Sequence, residues 1–343
     1  MSIPDLEVIQ IDPLDEDLVD SWIDAKRAVA AHDLPGLAPP SAAFERLCLL
    51  LVPGSLRAET WLAVADGQVL GYALLDMPAT DNLHLVDVTL EVRPEHRRRG
   101  IGTSLLEHVE RRAAQLGRDT VVSYVTESLP DVVRLDESGK AFAAARGYPV
   151  VETEILGRNL LAEVDEAALD RLYDRAWRKA EGYELVEWTG QAPEDAADDL
   201  ARLHARMWTD PPTGEMDIRP AVYDVARLRE TERVWDARGT LRLGALVREE
   251  SSGEVAGYTL IIVPPGSESE ALQEDTIVDP RHRGKRLGTI LKVANQRQLR
   301  RYRPMTGSVI TWNSEANDHM RSINEAIGYR GYLRELVVQK KLG

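Results

Sequence analysis

One repeat dominates this chain and limits what it can fold into. Gly71-Tyr72 recurs as Gly257-Tyr258, Val92 as Val278, Pro94 as Pro280, His96-Arg97 as His282-Arg283 and Gly102-Thr103 as Gly288-Thr289, each pair 186 positions apart. A constant offset from Gly71 to Thr103 marks a duplicated unit. A later landmark, Gly147-Tyr148, recurs as Gly328-Tyr329 at an offset of 181, so a small deletion lies between. The starts correspond loosely: an alternating segment at Leu6 to Ile11 leads toward a helix near Asp15, and Tyr183 to Trp188 toward a helix near Pro193. With 343 residues the chain has room for two domains, each large enough for its own core. The expected division is 1–164, a helical connector at 165–181, and 182–343. The connector places Leu169, Leu172, Tyr173, Ala176 and Trp177 on one face.

Within the first half, Thr60 to Ala65 and Val69 to Leu75 read as strands joined by the Asp66-Gly67 turn, and Leu83 to Val92 as a third strand. Ile101, Leu105, Leu106, Val109, Ala113 and Leu116 mark one helical face, ended by Gly117. A strand at Thr120 to Val125, a helix near Gly139 to Arg146 and a strand at Val150 to Ile155 follow. The second half repeats this order with strands at Leu241 to Arg248, Glu254 to Val263 and Gln273 to Val278. A helix from Leu287 to Arg301, a strand at Ser308 to Thr311, a helix at Asn317 to Ile327 and a strand at Leu333 to Lys340 complete it. Antiparallel strands followed by strand–helix–strand–helix–strand predict an α/β fold, a mostly antiparallel mixed sheet flanked by helices, twice over.

The chemistry concentrates where the third strand of each half meets its helix. Arg97, Arg98 and Arg99 cluster just before Gly100-Ile101-Gly102-Thr103, and Arg281, Arg283, Lys285 and Arg286 cluster around Gly284 and before Leu287-Gly288-Thr289. A helix start disfavours a cation by about 0.3–1 kcal/mol, so two such clusters at the same point of the repeat need a reason. Free amides plus cations make an anion site, and glycine lets a phosphate approach the backbone. The sequence has no G-x-x-x-x-G-K-[ST] phosphate loop. Nor has it a G-x-G-x-x-G followed by the acidic residue of a dinucleotide site.

Net charge of −15 disfavours nucleic-acid binding and favours a cationic small molecule as partner. No apolar run reaches membrane-spanning length, the N-terminus lacks the pattern of a signal peptide, and Cys48 is the only cysteine. A cytoplasmic protein, monomeric or homodimeric and without a metal, is the expectation. Cys48, in the apolar run Leu47 to Val52, reads as a core residue. His96 and His282 read as loop-shaping or phosphate-proximal.

Arg97-Arg98-Arg99-Gly100-Ile101-Gly102 resembles the [QR]-x-x-G-x-[GA] loop of the GNAT N-acetyltransferase superfamily. Val92-Arg93-Pro94 and Gly147-Tyr148 stand where that family has V-x-P and G-[FY]. The tandem arrangement is similar to that of the mycothiol synthase group of double-domain members. The resemblance implies acetyl-CoA as cosubstrate. Its pyrophosphate would lie on the loop amides, with Val92 and Arg97 to Thr103 in one half and Val278 and Arg283 to Thr289 in the other. It implies acetyl transfer to a primary amine by direct attack in a ternary complex. A carboxylate would act as base, drawn from Glu274, Asp275, Asp87 or Glu91, with Glu274 and Thr276 sharing a strand side with Val278 and Asp275 opposite.

Arg286 replaces the first loop glycine in the second copy, where a helical φ is expected to make glycine unnecessary. Asn317 matches the family's asparagine, but Asn324 stands where it has tyrosine, and the first copy has Asp136 and Ala143 there. The second half is therefore expected to be catalytic through Glu274, Asn317 and Asn324. The alternative is a non-catalytic acyl-CoA-binding sensor. The segment Trp208 to Asp217, with Asp210, Glu215 and Asp217, is expected to border the acceptor.

Overall fold

The computed structural model describes residues 5–267 and 269–343. In chain order the first half contains β1 (Glu7–Gln10), α1 (Glu16–Asp33), α2 (Ala42–Leu50), β2 (Leu56–Ala65), β3 (Gln68–Pro78), β4 (Leu85–Val92), α3 (Ile101–Gln115), β5 (Thr120–Glu127) and α4 (Ser138–Ala145). Then come β6 (Val150–Leu160), α5 (Glu166–Trp177), β7 (Tyr183–Thr189), α6 (Ala197–Arg206), α7 (Val225–Ala237), β8 (Leu241–Glu249), β9 (Val255–Val263), β10 (Glu270–Val278), α8 (Leu287–Tyr302), β11 (Ser308–Ser314), α9 (Asp318–Ala326) and β12 (Tyr329–Lys341). No helix among the described residues is long and apolar enough to cross a membrane.

The chain forms two compact units that do not follow the linear division expected from sequence. One comprises residues 1–153, 214–217 and 333–343, the other 154–213 and 218–332. Strand order in the first is β1-β2-β3-β4-β5-β12, and in the second β6-β11-β10-β9-β8-β7. Each closing strand has changed places. β12 runs antiparallel to β5, from Arg334 opposite Glu127 to Lys341 opposite Thr120. β6 runs antiparallel to β11, from Glu154 opposite Ser314 to Leu160 opposite Ser308. The connector helix exists as α5, capped by Asp165 accepting from the Ala168 amide at 2.9 Å. It joins nothing, however. Its Leu169 lies in the core of the second unit, and Arg297 stacks on Tyr173 at 4.6 Å.

Each sheet carries helices on both faces. In the first unit, Val19, Trp22 and Ile23 of α1 pack on Leu62 and Tyr72, while Ile101, Leu105 and Val109 of α3 cover Ala73, Leu75, Val86 and Val88 opposite. In the second, Leu200 and Leu203 of α6 pack on Leu246, Tyr258 and Ile277, and Leu287, Ile290 and Leu291 of α8 on Ala245 and Val247. Each fully buried leucine or isoleucine contributes about 1.5–3 kcal/mol. The 3.6-residue spacing of these apolar positions sets which helix face turns inward. Cys48 belongs to α2 and is only half-buried, because no residue of that short helix is fully covered. The repeated Gly-Tyr has a steric cause. A Cβ on Gly71 would lie 2.8 Å from the Glu91 carbonyl oxygen, and one on Gly257 2.6 Å from that of Ile277, so only glycine lets these strands approach.

Candidate functional site

Each unit opens a wedge in its sheet. β4 and β5 pair in parallel from Leu85–Thr120 to Val88–Ser123, after which β4 continues against β3 alone, as far as Val92 opposite Gly71. β10 and β11 pair from Glu270–Ser308 to Leu272–Ile310, after which β10 continues against β9 to Val278 opposite Gly257. Beyond Val88 and Leu272 the two parallel neighbours no longer pair, so one strand edge of each wedge carries backbone groups without a ladder partner among the described residues. At the mouth of the wedge the chain makes one 3-10 turn, Pro94–His96 or Pro280–His282, and enters the basic loop.

The two loops share one backbone path. Left-handed residues fall two apart in both: Arg98 (φ 64°) and Gly100 (φ 90°) in the first, Gly284 (φ 83°) and Arg286 (φ 61°) in the second. At the offset of the repeat, glycine and arginine have exchanged places. The position before the helix is therefore not helical, as the sequence reading assumed for Arg286. It is left-handed, and Arg286 adopts a conformation that ordinarily costs an L-residue about 1–2 kcal/mol. The result is a run of free donors. Among the described residues, no amide from Arg98 to Thr103 or from Gly284 to Gly288 has a protein acceptor. Thr289 is the first to find one, at 3.1 Å on Arg286.

The cations divide by role. Arg97 is tied back, donating from Nε to the Val92 carbonyl at 3.1 Å and from its terminal nitrogens to Asp33 and Asp136. Arg283 donates likewise from Nε to Val278 at 3.2 Å and to Asp210 at 3.1 Å. Arg281 is spent on Asp279 and Glu254. Arg98, Arg99, Lys285 and Arg286 are exposed and carry no ion pair among the described residues. An anion approaching either loop thus meets bare amides flanked by unneutralised cations. His282 is buried with Nδ1 2.8 Å from the Tyr183 hydroxyl, which gives it a loop-shaping role. Asp33 and Asp136, whose ligand atoms lie close to one from His32, both hold Arg97.

The wedges differ at their walls. In the first unit β4 is regular against β3, whereas β10 carries a bulge between Gln273 and Thr276 that takes in Glu274 and Asp275. Simple alternation of side-chain direction fails across it, contrary to expectation. Buried side chains prop the bulge. Gln273 Nε2 donates to Thr259 Oγ1 at 3.0 Å and the Leu260 carbonyl at 2.8 Å, Thr259 and Thr276 share a 2.7 Å hydrogen bond, and Thr311 donates to the Gln273 carbonyl at 3.2 Å. In the first unit Ala73 pairs with Leu90 where Thr259 pairs with Thr276, so this prop is missing.

Glu274 reaches solvent yet is closely surrounded by protein. Loss of water raises its carboxyl to about 7, with Asp275 adding to the rise and His204 opposing it. Burial also raises Asp87 and Glu91 in the first unit, each to about 7, and Tyr124 donates to Asp87 at 2.6 Å. Asn324 is buried and donates from Nδ2 to Asn313 at 2.5 Å, while its Oδ1 has no partner. Asn317, expected to be catalytic, holds a structural position. It is the N-cap of α9, with Oδ1 accepting from the Met320 amide at 3.1 Å. Two carboxylates of the acidic segment make ion pairs. Asp210 binds Arg206 and Arg283, while Asp217 lies within the first unit, its amide donating to Gln339 at 2.9 Å and its carboxylate 2.9 Å from Lys341. Sequence reasoning missed His204, whose Nδ1 lies 2.7 Å from Asp275. A lone histidine on α6 gives no signal until its distant partner is known.

The acetyltransferase (GNAT) family model matches residues 31–136, which include β4, the loop and α3. A tandem GNAT protein from the clavulanic acid biosynthesis pathway, solved without AcCoA, superposes with a TM-score of 0.83 at 28% identity over 99% of both chains. The chain thus carries a GNAT acetyltransferase match in its first unit and is similar over its whole length to a tandem GNAT protein. A mycothiol acetyltransferase of Actinosynnema mirum is 30% identical over 214 residues, so the match spans 62% of this chain and 62% of that protein. A GCN5-related N-acetyltransferase from Sphaerobacter thermophilus shares the fold, with a TM-score of 0.64 at 18% identity over 99% of this chain and 97% of that one. The likeness to a tandem GNAT protein thus extends across this chain.

Proposed function

We propose that the second unit transfers an acetyl group from acetyl-CoA to the primary amine of a small cationic acceptor, by direct attack in a ternary complex. The observation that carries this reading is the bulged wedge of β10, which places Glu274 beside unpaired strand backbone, next to a loop of free amides. The amides of Gly284 to Gly288, the Thr289 side chain and the cations Lys285 and Arg286 take the pyrophosphate. Val278 lies where the strand leaves the wedge. Unpaired N–H groups of β10 polarise the thioester carbonyl and stabilise the oxyanion. The amine lone pair forms the C–N bond, a proton leaves nitrogen for Glu274, and the C–S bond breaks with its electron pair on sulfur. A carboxyl near 7 is half-ionised at neutral pH, which suits a general base. Asn324 stands nearest the departing sulfur in this scheme, with Asn313 holding it.

The first unit binds acetyl-CoA through Val92 and the loop from Arg97 to Thr103 without turning it over. Its Asp136 is committed to Arg97, and Ala143 offers no polar group where the second unit has Asn324.

Calorimetric titration with acetyl-CoA tests both assignments, using Gly102→Glu and Gly288→Glu beside the wild type. Two equivalents are expected, each variant losing one. Thiol release with a panel of primary amines should survive Gly102→Glu and vanish in Gly288→Glu. Failure of the wild type to bind at millimolar acetyl-CoA would overturn the reading.

A further inference from the structure

The reaction scheme leaves one well-fixed side chain unused. His204, near the end of α6, has Nδ1 2.7 Å from Asp275 Oδ2 and 3.1 Å from the Tyr258 hydroxyl, and Tyr258 donates to the same carboxylate oxygen at 2.6 Å. The Tyr223 ring stacks on the imidazole at 4.0 Å between centroids, tilted by 40°. Groups from β9, from β10 and from the segment before α7 therefore hold the ring. Burial works to raise the Asp275 carboxyl, but its contacts with His204 and the hydrogen bond of Tyr258 prevail and hold it below the usual range. An ionised carboxylate only accepts, so Nδ1 carries the hydrogen. In the neutral ring the lone pair then sits on Nε2. That nitrogen has no partner among the described residues, and 29% of the side-chain surface remains open. Glu274 is the neighbour of Asp275 in the bulge of β10, so the pair holding His204 adjoins the carboxylate of the scheme.

Acetylation of an amine calls for two proton acceptors. The acceptor arrives as an ammonium ion with an ordinary pKa of about 10. It loses one proton to become a nucleophile and a second as the amide forms. We propose that His204 accepts one of these protons at Nε2, with Asp275 and Tyr258 holding its ring, while Glu274 accepts the other. This rests on acetyl transfer taking place in the second unit. The balance is complete. The ammonium proton moves to Nε2, the freed lone pair forms the C–N bond, the second proton moves to Glu274, and sulfur leaves as a thiolate. One of the two protons then returns to sulfur and the other is released to water.

Nitrogen NMR of the full chain, labelled with 15N-histidine, tests the geometry without acetyl-CoA. The His204 signals are identified by their loss in His204→Gln. The neutral ring is expected as the Nδ1–H tautomer, reverting to Nε2–H in Asp275→Asn. An Nε2–H tautomer in the wild type, or one indifferent to Asp275→Asn, overturns the proposal. Thiol release from acetyl-CoA with the panel of primary amines supplies the kinetic arm. A fall of at least about 10-fold in His204→Gln, with calorimetric affinity for acetyl-CoA unchanged, supports it, and an unchanged rate argues against it. Loss of acetyl-CoA binding in the wild type would instead remove the acetyl-transfer reading, while the NMR result would still describe the pair.

Discussion

Gly100 and Arg286 occupy the same step of the two loops, each left-handed and each immediately before its helix, with φ of 90° and 61°. One has no side chain to strain. The other carries a guanidinium in the same conformation. The loop geometry is thus set by the turn from strand to helix, and glycine only makes it cheaper.

That relationship gives the first prediction. A Cβ on Gly100 would meet nothing within 4 Å, so Gly100→Ala carries a backbone cost alone. It should destabilise the protein by about 1–2 kcal/mol. Arg286→Gly should relieve strain of the same size, less the greater freedom glycine gives the unfolded chain. Urea denaturation should show opposite shifts of the midpoint, and equal shifts would mean that the φ angles are not shared.

The buried carboxyls set a pH dependence. Glu91 is raised to about 7 by burial, with Lys26 opposing, Asp33 adding and Arg97 opposing in turn. Its folded pKa exceeds the ordinary value near 4.5. The folded state therefore holds the extra proton between about 4.5 and 7, and the contribution of the protonated group is lost as pH rises through that window. Glu91→Gln should gain stability relative to wild type from pH 5 to 7, read as a widening difference in Tm. A constant difference would show that Glu91 titrates normally.

For activity the same argument applies to Glu274. Turnover under the proposed scheme should rise with pH through about 7 and level off above it. Glu274→Gln should lose about 100-fold or more in kcat/KM and flatten the remaining limb. A variant that keeps the limb assigns it to another group.

Gln273 props the bulge where the regular strand of the first unit has Val88 opposite the equivalent neighbour. Gln273→Val leaves the Leu260 carbonyl and Thr259 without their donor, at a cost of about 1–3 kcal/mol. Thiol release should fall with acetyl-CoA affinity largely kept, because the pyrophosphate loop is separate from the bulge. Calorimetry and a kinetic assay on one preparation decide this.

Asn317→Ala should cost about 1 kcal/mol, the value of a helix cap, and leave kcat nearly unchanged. A large loss of kcat without loss of stability would support the catalytic role expected of Asn317 from the sequence.

Most of the secondary structure was legible because each signal is local. The Asp66-Gly67 turn, with φ of 50° and 72°, and the apolar faces of α3 and α8 follow from the residues themselves. The repeat then fixed the order of elements. Strand exchange was not legible, since Val150 to Ile155 and Leu333 to Lys340 read alike as closing strands and nothing in them names the sheet they complete. The bulge was half-legible. Thr259 and Thr276 against Ala73 and Leu90 can be read at the offset of the repeat, but their hydrogen bond cannot. Helix α7 went unread, because of its positions only Glu232 is fully buried and its apolar spacing is weak.

The exchange of closing strands also bears on how the chain is made. Residues 1–153 leave the ribosome well before the strand that completes their sheet, which includes residues 333–341. At about 5–20 residues per second, the wait is roughly 10–40 s. Throughout it β5 presents an unsatisfied edge to the cell. A circular permutant that supplies β12 beside β5 early should remove the delay and raise soluble yield.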